Sequence, residues 1–277
     1  MLHVKFLILF LVANLISCTN NHKEGNTSMS ADETIHRELL QIQNKKIFFG
    51  HQSVGINIIN SMKEIASDYR DVKINWSTID NKSPETEYYF SDAFIGQNTQ
   101  PDSKCDAFTE KIGRIFSGKL DIALMKFCYV DVDAGTNVDL VFKKYQTTIE
   151  TLKSKFPQIM FIHTTIPLNA KPTGIKQFIK SLIGYSSNYE LENIKRNIFN
   201  SLLIEYYKTE PIFDLAGIES TYPDGTRETF SNNGKLYYSL INEYTDDGGH
   251  LNTKGGRIAA ENLIHVLASA KAHPLDK

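Results

Sequence analysis

The sequence predicts a three-layer α/β/α domain built around a parallel, five-stranded sheet. Short apolar runs, typical of strands buried on both faces, alternate with segments whose apolar residues recur at helical spacing. Strands that alternate with helices form parallel sheets covered on both faces. No shift in composition along the 277 residues marks a second domain. We therefore expect one domain over residues 35–277.

The predicted elements follow one another in order along the chain. One predicted helix ends near Gly118, because glycine is a common helix stop signal. The next helix ends before Pro157 and a predicted strand ends at Pro167, because proline interrupts both kinds of structure. The predicted strands are 45–49, 72–79, 120–130, 158–168 and 211–218, and the predicted helices are 32–44, 57–69, 105–119, 137–156, 188–208 and 253–272. Residues 81–104 are predicted to form a polar loop.

Two further stretches lie outside this alternation. Residues 169–188 could hold a short amphipathic helix, and residues 219–240 a β-hairpin that turns at Asn233-Gly234. Both follow the carboxyl ends of strands, where α/β proteins place substrate-facing loops. The alternative, that both are exposed insertions without a role in binding, remains equally open.

The N-terminus is interpreted as a targeting segment. Lys5 precedes an apolar run over residues 6–16, which is too short to span a bilayer and fits a secretory signal. The ending Leu15-Ile-Ser-Cys18 resembles a bacterial lipobox, which implies cleavage before Cys18 and lipidation of that cysteine. Residues 1–17 are then a signal peptide and 18–34 a flexible polar tether. We expect a cell-envelope lipoprotein held to a membrane by this lipid; the alternative is an ordinary signal peptide with a chance cysteine.

Composition and motifs exclude several classes of function. The net charge of −2 offers no electrostatic basis for binding nucleic acid. The sequence contains neither a nucleotide-binding glycine motif nor an H-x-x-x-H or H-E-x-x-H metal motif, so we expect no cofactor and no metal. An exported protein could pair Cys105 with Cys128, or keep both as buried free thiols.

The stretch Gly50-His-Gln-Ser-Val-Gly55 joins the first predicted strand to the second predicted helix. A strand-to-helix turn of this kind presents side chains at the carboxyl edge of an α/β sheet. Ser53 could be a nucleophile there, or only the N-cap of the helix, because serine is a favoured cap.

A second candidate stretch, Asp247-Gly-Gly-His250, precedes the last helix. The glycines permit a tight turn, and the spacing lets the carboxylate bond one ring nitrogen of the histidine. That bond fixes the tautomer and leaves the other nitrogen free to act as a general base. The alternative is a loop histidine satisfied by its neighbour, without a substrate.

Together these stretches resemble the blocks of the SGNH/GDSL hydrolase superfamily. Ser53 follows the first strand, Gly96-Gln-Asn98 lies in the next loop, and Asp247-Gly-Gly-His250 precedes the last helix, so the similarity in order covers about Lys45 to Ala270. The resemblance implies a flavodoxin-like fold and a Ser-His-Asp triad. Ser53 would be the nucleophile, His250 the base and Asp247 the orienting acid. Gly96 and the Ser53 amide would belong to the oxyanion hole.

Two positions depart from the family pattern. His51-Gln52 stands before the serine where the family has Gly-Asp, and Val130 occupies the place of an asparagine that donates to the oxyanion. Losing one such donor typically costs roughly 100- to 1000-fold in rate. We expect Asn98 to supply the missing amide, with Lys126 or Tyr129 as weaker substitutes. His51 and His163 are interpreted as structural hydrogen-bonding residues.

These observations predict a serine esterase that cleaves an acyl ester, on a small molecule or a glycan, through an acyl-enzyme. Such chemistry requires no cofactor. The alternatives are an acyltransferase of an envelope polysaccharide on the same fold, or a non-catalytic glycan-binding lipoprotein whose oxyanion hole has decayed.

Overall fold

The structure is a computed structural model that describes residues 30–80, 82–172 and 188–270. Its strands are β1 (Lys46–His51), β2 (Trp76–Thr78), β3 (Tyr89–Phe94), β4 (Ile122–Met125), β5 (Met160–Thr164), β6 (Ile212–Phe213), β7 (Thr229–Asn232) and β8 (Lys235–Tyr238). Its α-helices are α1 (Ala31–Ile42), α2 (Ser53–Ser67), α3 (Pro101–Glu110), α4 (Val138–Lys155), α5 (Tyr189–Tyr206), α6 (Leu215–Glu219) and α7 (Thr253–Ser269).

Six parallel strands form the central sheet in the order β2-β3-β1-β4-β5-β6. β1 is central, and its side chains alternate between two apolar cores. Phe49 packs with α1, α2 and α7 on one face, whereas Phe48 packs with α3, α4 and α5 on the other. The prediction of a parallel sheet between two helical layers is confirmed.

The sheet has one strand more than predicted, because β3 forms inside the expected polar loop 81–104. Its apolar residues Tyr89, Phe90 and Ala93 are buried. Ser91 and Asp92 are buried too, and these polar residues interrupt the apolar pattern by which a buried strand is predicted. Asp92 is tolerated inside because it bonds the His51 ring and the Thr78 hydroxyl. The tertiary partners of this carboxylate decided the local structure.

Other boundaries shift for local reasons. The third predicted helix begins at Pro101, four residues early, and continues past Glu110 as a π-helical turn over Lys111–Ile115. The predicted strand 211–218 is cut to Ile212–Phe213. The side chain of Asp214 caps α6 there by accepting a hydrogen bond from the Gly217 amide.

The hairpin predicted in residues 219–240 is confirmed. β7 and β8 pair in antiparallel fashion, and Asn232 lies opposite Lys235 across the turn. Asn233 and Gly234 both have positive φ, 49° and 76°, as a two-residue hairpin turn requires. The predicted amphipathic helix falls mostly on residues 173–187, which lie outside the described residues.

The described part of the chain contains no helix long and apolar enough to cross a membrane. Residues 1–29, with the predicted signal peptide and Cys18, are outside the described residues, so the lipid anchor stays a prediction. Cys105 and Cys128 are free and buried, which is the second of the two alternatives for this pair.

Candidate active site

Ser53 is the first residue of α2, directly after β1 and Gln52. The N-cap position belongs to Gln52, whose side chain makes no capping bond, so the interpretation of Ser53 as a simple N-cap is wrong. The Ser53 hydroxyl is instead bonded to the ring of His250, with 2.8 Å between Oγ and Nε2. Folding therefore brings together two residues that are 197 positions apart.

Asp247 orients the histidine from the same loop. Its Oδ2 lies 2.6 Å from Nδ1 of His250, and its Oδ1 accepts the backbone N–H groups of Gly249 and His250 at 2.9 and 2.8 Å. With Nδ1–H donating to the carboxylate, Nε2 is left to accept the serine proton.

Electrostatics favour the ionised form of this carboxylate. Partial burial would raise the pKa of Asp247, but the hydrogen bonds from the amides of His250 and Gly249 and from the His250 ring outweigh it. The pKa is thereby lowered to about 2. At neutral pH Asp247 is an anion that can stabilise a charged imidazole beside it.

Gly96 lies in the loop after β3. Its φ is +54°, and a Cβ at this position would lie 2.5 Å from the backbone nitrogen of Lys104, so only glycine fits. The side-chain amide of Gln52 donates to the carbonyls of Ile95 and Gly96 at 2.9 and 3.0 Å. Gln52 thus ties the turn that carries Ser53 to the loop that carries Gly96, a role that sequence analysis missed.

Two amides in this region are available to a ligand. The backbone N–H groups of Ser53 and Gly96 donate no hydrogen bond to any described residue. The first amides of a helix have no partner within it and carry the positive end of the helix dipole. Such a pair can bind a negatively charged oxygen.

Asn98 is exposed, and its side-chain oxygen accepts a hydrogen bond from Nζ of Lys104 at 3.0 Å. Because an ammonium only donates, the Asn98 oxygen faces Lys104 and its NH₂ group faces elsewhere. Lys104 also donates to Asp131, which accepts the amides of Thr99 and Cys128. Asp131 therefore links the loop of Gly96 to residues 128–131, the stretch that contains Val130. The role of Asn98 in the oxyanion hole stays a prediction.

The two weaker substitutes differ in position. Lys126 is fully buried, and its ammonium donates to the Phe127 carbonyl and lies 3.8 Å from the sulfur of Cys128. Tyr129 is half-buried and lies edge-on to the His250 ring, with 5.8 Å between ring centroids. Tyr129 therefore belongs to the site, whereas Lys126 belongs to the protein interior.

His51 and His163 are structural, as predicted. His51 bonds Asp92 through Nε2 and lies 2.9 Å from the Gln52 carbonyl through Nδ1, and its ring occupies the space that a side chain on Gly55 would need. His163 bonds the Tyr145 hydroxyl and Glu210. Both ring nitrogens of each histidine are occupied.

Among the described residues, no group of three or more His, Cys, Asp or Glu side chains is placed to hold a metal ion. A cavity of about 600 Å³ runs along β6 between α6 and α7, and Phe213, Ile218 and Ile258 are among its lining residues. Neither Ser53 nor His250 lines it, so the hydrogen-bonded side chains of Ser53, His250 and Asp247, and not this cavity, define the candidate site.

Solved structures with a similar chain trace share this arrangement of strands and helices. A carbohydrate esterase family 3 protein from Talaromyces cellulolyticus aligns with a TM-score of 0.51 and 14% identity over 82% of this chain and 100% of its own. The chain has the fold of the SGNH hydrolases.

Two other solved structures align less well. A lipase/acylhydrolase from Enterococcus faecalis has a TM-score of 0.47 and 13% identity, over 81% of this chain and 95% of its own. The periplasmic domain of a lipopolysaccharide acetyltransferase from Salmonella ser. Paratyphi A has a TM-score of 0.42 and 12% identity, over 86% and 96%. No protein-family model matches the chain, and no curated protein matches it in sequence.

Proposed function

We propose that the protein is a serine esterase that hydrolyses acyl esters through Ser53, His250 and Asp247. The continuous chain of hydrogen bonds from the Ser53 hydroxyl through the His250 ring to the Asp247 carboxylate carries this proposal. The distances of 2.8 and 2.6 Å fit a nucleophile held by its base and a base held by its orienting acid.

In the first step, Nε2 of His250 takes the hydroxyl proton as Oγ of Ser53 bonds the ester carbonyl carbon. The carbonyl oxygen becomes negative and receives hydrogen bonds from the Ser53 and Gly96 amides. His250 then gives the proton to the departing alkoxide, and the C–O bond of the ester breaks. Water attacks the resulting serine ester with His250 again as base, which releases the acid and restores Ser53.

An ester on a glycan is the substrate class we propose. The Talaromyces protein that aligns with this chain is a carbohydrate esterase, which supports this choice. The proposed lipid at Cys18 would hold the enzyme at the cell envelope, where polysaccharide esters are within reach of a tethered domain. The predicted tether ends earlier than residue 34, because α1 begins at Ala31, but its polar sequence is consistent with such an arrangement.

The test uses a chromogenic acetate ester and a fluorophosphonate probe with the domain from residue 30 onward and with the full chain. Turnover that Ser53→Ala lowers by at least about 1000-fold, with an adduct at Ser53, is the expected result. The full chain controls for truncation. If the folded wild-type protein shows neither turnover nor labelling, the non-catalytic glycan-binding alternative is favoured. Val130, which replaces the asparagine of the family pattern, is the residue that supports this alternative.

A further inference from the structure

Arg196 of α5 is a buried cation whose donors converge on the loops around the candidate triad. Only 1% of the residue is exposed. Its Nε donates to the carbonyls of Tyr129 and Val132 at 2.8 and 3.1 Å, and its Nη2 donates to Glu192 at 3.0 Å. A buried guanidinium is costly unless its donors are satisfied, so these bonds hold the turn at residues 129–132 in a defined place.

The remaining nitrogen of Arg196 reaches Asn169, just beyond β5. Nη1 donates to Oδ1 of Asn169 at 2.5 Å and to Asn193 at 2.9 Å. Because a guanidinium cannot accept, the oxygen of Asn169 must face it, and the NH₂ group must face the other way. That group donates to the carbonyl of Gly248 at 3.2 Å, beside the 2.9 Å bond from the Ala170 amide to the same oxygen.

Gly248 lies between Asp247 and His250, so this carbonyl is part of the triad loop. Its φ of +92° is a conformation that other residues rarely adopt. The loop is exposed to solvent on its outer side, where 39% of the His250 side chain and 57% of the Asp247 side chain are accessible. The bonds from residues 169 and 170 hold the loop from its inner side.

Tyr129 supplies a second inner contact. Its ring lies edge-on to His250, and a Cβ on Gly249 would lie 2.7 Å from it. The guanidinium carbon of Arg196 lies 5.8 Å from the centre of the same ring. Arg196 therefore bonds the backbone of Tyr129, which contacts the His250 ring, and the side chain of Asn169, which bonds Gly248 in the same loop as His250.

We infer that Arg196 and Asn169 form a clamp that sets the position of His250 against Ser53, and that both are positioning residues for the reaction. The inference rests on the proposed function. A displacement of about 1 Å in a catalytic group can cost roughly 100-fold in rate, so a bond to the middle of the triad loop has leverage on catalysis.

Asn169→Asp separates this role from stability. The aspartate keeps an oxygen toward Arg196, and the new ion pair offsets lost stability, but it cannot donate to Gly248. Asn193→Asp is the control, because it adds the same charge next to Arg196 and leaves the bond to Gly248 in place. It also loses the 2.8 Å bond from the Asn193 amide to the Asn169 carbonyl, so it covers both the added charge and the loss of one neighbouring bond. Asn169→Ala removes the amide without adding charge and replaces Asn169→Asp if that variant does not fold.

For Asn169→Asp we expect kcat and the rate of Ser53 labelling to fall by about tenfold or more, with KM within about twofold and a melting temperature within about 2 °C of wild type. Asn193→Asp should retain at least about a third of the wild-type kcat. Hydrogen exchange at the Gly249 and His250 amides should become faster in Asn169→Asp only.

Equal labelling rates and equal exchange in Asn169→Asp and wild type would overturn the clamp and leave the proposed function standing. So would an equal loss in Asn193→Asp, since the added charge and a lost neighbouring bond would then explain the effect without the bond to Gly248. If wild type itself forms no adduct at Ser53, the proposed function fails. The exchange measurement then decides the clamp without reference to activity.

Discussion

Gly96→Ala is the perturbation whose consequence can be worked out most directly. At a φ of +54°, an alanine at this position costs about 1 kcal/mol in backbone energy relative to glycine. Its Cβ would lie 2.5, 2.6 and 2.7 Å from the backbone nitrogen of Lys104, the carbonyl carbon of Ser103 and the Cα of Lys104. All three are main-chain atoms of α3, which cannot move aside as a flexible side chain can.

Ordinary van der Waals contact begins at 3.4 Å, so the shortest contact is about 0.9 Å too close. The loop has to move by several tenths of an ångström, because α3 is anchored by Cys105 and Phe108 in the core. We expect a loss of about 2–3 kcal/mol of unfolding free energy from strain and overpacking together. The Gly96 amide would move with the loop, away from the oxyanion that we propose it binds.

The chemical cost follows from that displacement. Removal of one oxyanion donor lowers kcat by roughly 100- to 1000-fold, so Gly96→Ala should approach that range while the protein remains folded. Esterase kinetics at a temperature well below melting, together with urea denaturation, measure the two effects separately. Gly113→Ala is the control, because a Cβ there would meet no atom within 4 Å.

A Gly96→Ala protein with wild-type kcat would refute the assignment of this amide to the oxyanion hole, whatever its stability. A Gly113→Ala protein that loses as much activity would show that the assay reports general damage.

Two further predictions follow from the contacts of single side chains. Gln52→Leu removes both bonds from the Gln52 side chain to the loop of Gly96, so kcat should fall by about tenfold. The control Gln158→Leu loses one bond to the distant Gly118 carbonyl and should leave kcat unchanged. Equal kinetics in the two variants would contradict the role of Gln52. Burial raises the pKa of Glu219 to about 8 in the folded protein, above its value in the unfolded chain. Between about pH 4.5 and 8 the folded protein therefore keeps a carboxyl proton that the unfolded chain loses, and the free energy of unfolding falls as the pH rises through this range. Glu219→Gln should remove this decline and gain roughly 1–3 kcal/mol at pH 8 relative to wild type, measured by urea denaturation at both pH values; parallel pH dependences of the two proteins would refute it.

The residues around Gly96 show which parts of the candidate site can be predicted from sequence and which cannot. Gly96 could be identified because the stretch Gly96-Gln-Asn98 stands in the expected order after the Ser53 stretch. Gln52 and Asp131 could not be assigned, because their partners are backbone groups of other loops: the carbonyls of Ile95 and Gly96, and the amides of Thr99 and Cys128. Hydrogen bonds to a distant main chain leave no residue-type signature at their main-chain end.

The missed strand β3 has the same origin. Apolar alternation is read as a strand only when polar letters lie on the exposed face. Here Ser91 and Asp92 are buried, and Asp92 is satisfied by His51 and Thr78 from neighbouring strands. Burial of a polar side chain depends on which partners the fold supplies, and local sequence does not contain that information.

The amino-acid sequence by itself determined the layers of the sheet, the turn that presents Ser53 and the loop that pairs Asp247 with His250. These features depend on periodicity and on short-range spacing, which are local properties of the chain. Only the tertiary structure decided that the Ser53 hydroxyl meets the His250 ring, and that Gln52, Arg196 and Asn169 hold the surrounding loops. Such contacts join residues dozens to hundreds of positions apart, and their geometry exists only after the sheet has brought the ends of its strands together.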